Sequence, residues 1–264
     1  MLAVTTQSAL SLIEAPPQKR GPISILSSCD IPAEPASSTW SSDNSLLFIS
    51  TATEIYRYSA SDSSLAITYS TTPSEQLGPL SCLLNKDNGE TLIFSRGADI
   101  YFVDSQSGKI TRTLDTHRTS IISLSLSINN TLLASASSTA VHVHNLPLAS
   151  HTVLRGLPPG EVTACRFHPH FHTRLLLGVG SALVIYDTAK PSAPLKVISM
   201  DKAEGDHGDI VAIACSPFSK TFAAVACRRG FLNFLDIEKQ KAYVWDTRFT
   251  IHSDIVLELG FTIR

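Results

Sequence analysis

Short apolar runs punctuated by Gly, Ser, Asn, Asp and Pro fill the sequence from end to end. The i, i+3, i+4, i+7 spacing of an amphipathic helix persists nowhere along it. Six runs end near an acidic or small polar residue: Ala9 to Ala15, Glu54 to Ala60, Asp99 to Ser105, Ala140 to Leu146, Ala182 to Thr188 and Phe231 to Ile237. Before each, across a tight turn, stands a more continuous apolar run: Leu2 to Thr6, Leu46 to Thr51, Thr91 to Ser95, Leu132 to Ser137, Arg174 to Val179 and Phe222 to Cys227. Continuous apolar character predicts strands buried on both faces. After each comes an alternating, β-branched run: Pro22 to Ser28, Ser64 to Ser70, Lys109 to Asp115, His151 to Leu157, Leu195 to Asp201 and Ala242 to Arg248. These read as half-buried outer strands. Innermost strands are expected at Ser37 to Ser41, Leu80 to Leu84, Ile121 to Ser127, Val162 to His168, Ile210 to Ser216 and Ile255 to Phe261.

The terminal polar residues Glu14, Ser59, Asp104, Asn145, Asp187 and Asp236 recur every 41 to 49 residues. That period and the strand quartet predict an all-β propeller of four-stranded blades. The blade repeats fall at about 37–79, 80–120, 121–161, 162–209 and 210–254. Residues 1–28 and 255–264 form either a composite blade that closes a six-bladed ring or the incomplete ends of a truncated seven-bladed one. The whole chain reads as one such domain.

Val103-Asp104, Tyr186-Asp187 and Leu235-Asp236 stand where WD repeats carry Trp-Asp, and Phe167-His168-Pro169 and Cys215-Ser216-Pro217 resemble the usual end of the innermost strand. On these residues the chain resembles the WD-repeat (WD40) family. Its repeats are degenerate: the one true Trp-Asp, Trp245-Asp246, falls in an outer strand, and Gly-His is reduced to Thr116-His117, Asp206-His207 and Ile251-His252. A narrower resemblance rests on the run Thr39 to Asn44, on Leu114-Asp115-Thr116-His117, on Val184-Ile185-Tyr186-Asp187, and on Cys215-Ser216-Pro217 with Arg228-Arg229 downstream. It points to the centrosomal WD-repeat adaptors that bring γ-tubulin ring complexes to spindle poles. The resemblance implies a targeting propeller for microtubule nucleation in mitosis, with spindle-pole or γ-tubulin complex components as partners. In that family a helical C-terminal tail, not found in this sequence, binds the γ-tubulin complex, which favours the truncated seven-bladed alternative.

Composition narrows the chemistry. Of 264 residues 43% are hydrophobic, and 21 Lys plus Arg stand against 23 Asp plus Glu. A net charge of -2 predicts no broad attraction to nucleic acid or anionic membrane. Cys29, Cys82, Cys165, Cys215 and Cys227 are odd in number, scattered and free of C-x-x-C pairs, which suits a reducing compartment and predicts no disulfide framework. A cytoplasmic protein is expected, at the centrosome or spindle pole if the narrower resemblance holds.

Gly178-Val179-Gly180-Ser181 lacks the third glycine, lysine and following helix of a phosphate loop and reads as a strand turn. With no Gly-x-Ser-x-Gly elbow either, no catalytic residue and no cofactor is expected. His168, His170 and His172 have an extended metal-ligand spacing but stand in a turn, so they read as turn residues rather than ligands. His142 and His144, and the cysteines of the inner strands, read as packing residues.

Partner binding carries more signal. Turns after the second and fourth strands of an antiparallel blade share one rim, which gathers Arg96, His117, Arg118, His207, Arg228 and Arg229. Guanidinium forks suit an acidic or phosphorylated peptide. The expected function is a non-enzymatic interaction scaffold. The rivals are a generic WD-repeat subunit such as a ubiquitin-ligase substrate receptor, and a propeller hydrolase or metal-binding protein.

Overall fold

A computed structural model describes residues 2–5, 9–14, 24–72, 78–200, 207–239 and 241–244. The expected innermost strand Ile255 to Phe261, and with it the closure of a composite blade, lies outside the described residues. Contacts divide the chain into two compact units, Met1–Thr116 and His117–Arg264.

The first unit holds a three-stranded antiparallel sheet, β1 (Leu2–Thr5), β2 (Ala9–Glu14) and β3 (Ser24–Asp30). Two four-stranded sheets follow. One is β4 (Ser37–Trp40), β5 (Leu46–Ser50), β6 (Glu54–Ser59) and β7 (Leu65–Ser70). The other is β8 (Leu80–Lys86), β9 (Thr91–Arg96), β10 (Asp99–Asp104) and β11 (Ile110–Asp115). The second unit holds three more: β12 (Ile121–Leu126), β13 (Leu132–Ser137), β14 (Val141–Asn145) and β15 (Ser150–Val153); β16 (Val162–Phe167), β17 (Arg174–Val179), β18 (Ala182–Asp187) and β19 (Lys196–Ser199); and β20 (Ile210–Cys215), β21 (Phe222–Cys227), β22 (Leu232–Asp236) and β23 (Lys241–Val244). In every four-stranded sheet the spatial order is the chain order and all pairings are antiparallel, so each is a simple meander.

The second strands are buried on both faces, as their unbroken apolar runs require. In β17, Leu175, Leu177 and Val179 enter one core with Val184, Tyr186 and residues of the β12–β15 sheet, while Leu176 enters another with Ile185, Ile213 and Val225. In β5, Leu47 and Ile49 pack with Ile31, Tyr56 and Tyr58, while Phe48 packs with Leu80, Leu92 and Phe94. Each sheet is thus glued to its neighbours within its unit by alternate side chains of the same strands.

A second device joins consecutive sheets at their innermost strands. The β16 amides of Cys165 and Phe167 donate to Ser123 Oγ and Ser125 Oγ of β12 at 3.1 and 2.9 Å. At the matching place in the first unit, Leu83 N of β8 donates to Ser37 Oγ of β4 at 3.2 Å, and Asn85 Nδ2 donates to Thr39 Oγ1 at 2.9 Å. An innermost strand has a sheet edge, and side chains two residues apart on the preceding strand supply acceptors to it.

The recurring polar residues are turn formers. Between first and second strands, Asp43 Oδ1 accepts from Ser41 Oγ, Ser45 N and Ser45 Oγ, and Asn129 Oδ1 accepts the same way from Ser127 Oγ, Thr131 N and Thr131 Oγ1. This Ser-x-Asp/Asn-x-Ser/Thr turn is the core of the Thr39 to Asn44 run. Between third and fourth strands, Asp104 accepts from Ser107 N, Asn145 from Leu148 N, Asp187 from Ala189 N, and Asp236 from Glu238 N and Lys239 N. The residue at the Trp-Asp aspartate position therefore closes the outer hairpin.

Gly178 lies within β17, and only Gly180, at φ +53°, makes the turn. A Cβ on Gly178 would stand 2.8 Å from both Ile210 Cγ2 and Thr163 Oγ1. Gly178→Ala should therefore force the β17 and β20 strands apart and lower stability by about 1–3 kcal/mol, read as a lower urea midpoint; an unchanged midpoint would mean this contact is loose.

Candidate functional site

The six rim residues divide into buried and exposed sets. In the first unit, Arg96 ends β9 and is 6% exposed. Its guanidinium donates to Gly78 O at 3.0 Å, Thr71 Oγ1 at 2.8 Å and Thr72 O at 2.8 Å, tying the two residues that follow β7 to one that precedes β8. Sequence alone suggests a fork turned outward, but three of its five N–H groups are taken by two linker carbonyls and a threonine hydroxyl.

In the second unit His117 is buried, and its Nε2 lies 2.7 Å from Ser135 Oγ of β13, which lies 2.9 Å from His144 Nε2 of β14. One hydroxyl proton cannot serve both rings, so at least one imidazole donates to the serine oxygen. His142, two residues from His144 on β14, places its ring centroid 4.3 Å from His117 and 5.4 Å from His151 of β15. His207 is buried too, stacked on Phe231 at 4.3 Å and 3.3 Å from Asn233 Nδ2. Both linker histidines are thus buried against strands of their own unit, where the sequence suggests side chains open on a rim.

Three rim residues remain at the surface. Arg118 and Arg229 are exposed, and Arg228 extends beside Asp209 with Nη2 3.9 Å from Oδ2. The backbone brings the β21–β22 turn to the linker before β20: Arg228 N donates to Asp209 O at 2.7 Å and Arg229 N to His207 O at 3.3 Å. His207, Arg228 and Arg229 therefore share one locality, with Asp209 partly neutralising it.

The triple-histidine turn is also structural in part. His168 takes the place that Ser41 and Ser127 hold in equivalent turns; it is fully buried, and its Nδ1 accepts from His170 N at 3.1 Å. His172 is exposed. Among the described residues, no group of three or more His, Cys, Asp or Glu side chains is arranged to hold a metal ion. Burial pushes the Cys215 thiol up to about 12, leaving it protonated and unreactive at neutral pH.

No protein-family model matches the sequence, and no curated protein matches it. Among solved structures it is similar to a chain in the crystal structure of the mitotic checkpoint complex, with 19% identity and a TM-score of 0.64 over 78% of this chain and 61% of that one. The chain thus spans about three fifths of that chain's length. This likeness and the antiparallel quartets place the fold in the WD40-like β-propeller class.

Two outcomes follow from these side chains. Burial, reinforced by the charges of His142 and His151, pulls His117 down to about 4, and burial does the same to His168. A histidine depressed when folded binds its proton more readily unfolded, so its contribution is whole above pH 6.5 and is lost as pH falls toward 4. The urea midpoint should drop over that window, and His117→Asn should flatten the drop; an acid-insensitive midpoint would contradict the burial of these rings. Arg96→Ala should cost about 1–3 kcal/mol by freeing two linker carbonyls, measured the same way; a change within about 0.5 kcal/mol, the range of an ordinary surface site, would count against it.

Proposed function

We propose that this chain is a non-enzymatic protein-interaction scaffold that targets γ-tubulin ring complexes to the centrosome or spindle pole, acting in the cytoplasm on microtubule nucleation in mitosis. The observation that carries the scaffold reading is the fold itself. Its meandering sheets spend their polar side chains on turns and seams, and a chain of the same class sits in a multiprotein mitotic assembly. The narrower part is supported by the runs Thr39 to Asn44, Leu114 to His117 and Val184 to Asp187 with Arg228-Arg229, through which the sequence resembles centrosomal adaptors.

On this reading spindle-pole or γ-tubulin complex components meet the exposed Arg118, Arg228 and Arg229 through acidic or phosphorylated segments. Reversing these three to Glu should abolish the spindle-pole signal of the tagged chain in mitotic cells while leaving its melting temperature unchanged, because none of the three contributes to a core. Normal localisation of the reversed variant would remove these arginines from the contact. Copurification with ubiquitin-ligase subunits and no γ-tubulin would replace the targeting reading with that of a substrate receptor.

A further inference from the structure

The turns after the first and third strands of the His117–Arg264 unit carry a second surface, facing away from Arg118, Arg228 and Arg229. There the β16–β19 and β20–β23 sheets leave a groove of about 340 Å³ lined by Arg174, Ile185, Leu195, Lys196, Ile237 and Glu238. Its size is at the lower end of ligand pockets, enough for one bulky side chain. Ile185 and Ile237 are its buried floor, and Leu195, half exposed, is an apolar lip with no core to enter.

Two cations flank that lip. The Arg174 guanidinium stacks on the Phe171 ring at 4.2 Å, which fixes its plane without using its N–H donors. Lys196 Nζ donates to Ile237 O and Glu238 O, each at 3.2 Å, so two of its three donors tie the sheets together and the third is left for a ligand. Nearby turns add exposed Lys190, Lys220 and Lys239. Of the acids on these turns, Asp187 and Asp236 already accept backbone amides, and Lys239 pairs with Asp236 at 3.7 Å. Glu238 is the one acid among the residues that line the groove, and with Asp187 and Asp236 on the turns it leaves the cations in excess. Phe218, Val197 and Phe222 are exposed on the same two sheets.

We propose that this groove docks an extended acidic peptide, with a bulky aliphatic side chain seated between Ile185, Leu195 and Ile237 and flanking carboxylates held by Arg174 and Lys196. This deepens the scaffold reading and rests on it, naming a partner class and a face distinct from the arginine rim. A basic peptide would meet a net surplus of two cations, Arg174, Lys190, Lys196, Lys220 and Lys239 against Asp187, Asp236 and Glu238, and a purely apolar one would leave the Arg174 fork unpaired.

The test is selection of a random dodecapeptide display library on the purified 264-residue chain, followed by fluorescence anisotropy of the enriched peptides. The expected consensus is Leu, Ile or Met beside two or more Asp or Glu, with binding that weakens as salt rises. Arg174→Glu and Leu195→Glu should each weaken binding by about tenfold or more. Arg174→Gln should do so to a lesser degree, and a peptide with its acids changed to Lys should bind Arg174→Glu better than the native chain. Melting curves guard against misfolding, and the milder Arg174→Gln decides if a Glu variant unfolds. Failure to enrich an acidic–aliphatic consensus, binding indifferent to Arg174, or binding lost instead in Arg228→Glu with Arg229→Glu would overturn the proposal. The first two results leave spindle-pole recruitment through the rim untouched, and the third moves the acidic peptide to the rim, so the two readings fail separately.

Discussion

The structure depends on how an innermost strand is finished. Such a strand pairs on one side only, and its outward amides would be costly orphans if simply buried. Here the preceding sheet supplies hydroxyls at alternate positions, Ser123 and Ser125 to Cys165 and Phe167, and Ser37 to Leu83. Alternation is what a strand offers, since residues two apart share a face. With that seam in place, the buried second strands can interdigitate on both faces, and the β4–β7 and β12–β15 sheets are each fixed to the next by polar and apolar contacts together.

Much of this was legible in the sequence because strand patterns are local. The quartets at Leu80 to Asp115 and Val162 to Asp201 emerge as β8–β11 and β16–β19 with ends shifted by only a few residues. The polar residue that sets the period, Asp104, Asn145, Asp187 or Asp236, proved to be the closure of an outer hairpin, a role its placement between β-branched runs could have disclosed. The Ser-x-Asp/Asn-x-Ser/Thr turn could also have been found, by aligning Ser41 to Ser45 with Ser127 to Thr131.

The candidate site was less legible, because burial at the end of a strand is decided by distant chain. Arg96 looks like a turn arginine until Thr71, Thr72 and Gly78, some twenty residues upstream, are brought against it. His117 and His207 likewise gain partners in Ser135 and Asn233 only through sheet packing. The groove beside Leu195 draws on Arg174 and Glu238, more than sixty residues apart, and no spacing rule announces it. What unites these cases is a division of labour: polar groups at strand ends are spent on holding sheets together, and recognition falls to turn residues that the seams leave over.

That division is tested most directly at the seam itself. Ser125→Ala removes one hydroxyl and deprives the buried Phe167 amide of its acceptor without touching a core side chain, so urea unfolding of this variant isolates the seam. The account predicts a loss of about 1–3 kcal/mol with an unchanged m-value, the cost of leaving a buried donor unsatisfied. A stability within about 0.5 kcal/mol of the parent, as for an ordinary surface site, would contradict it.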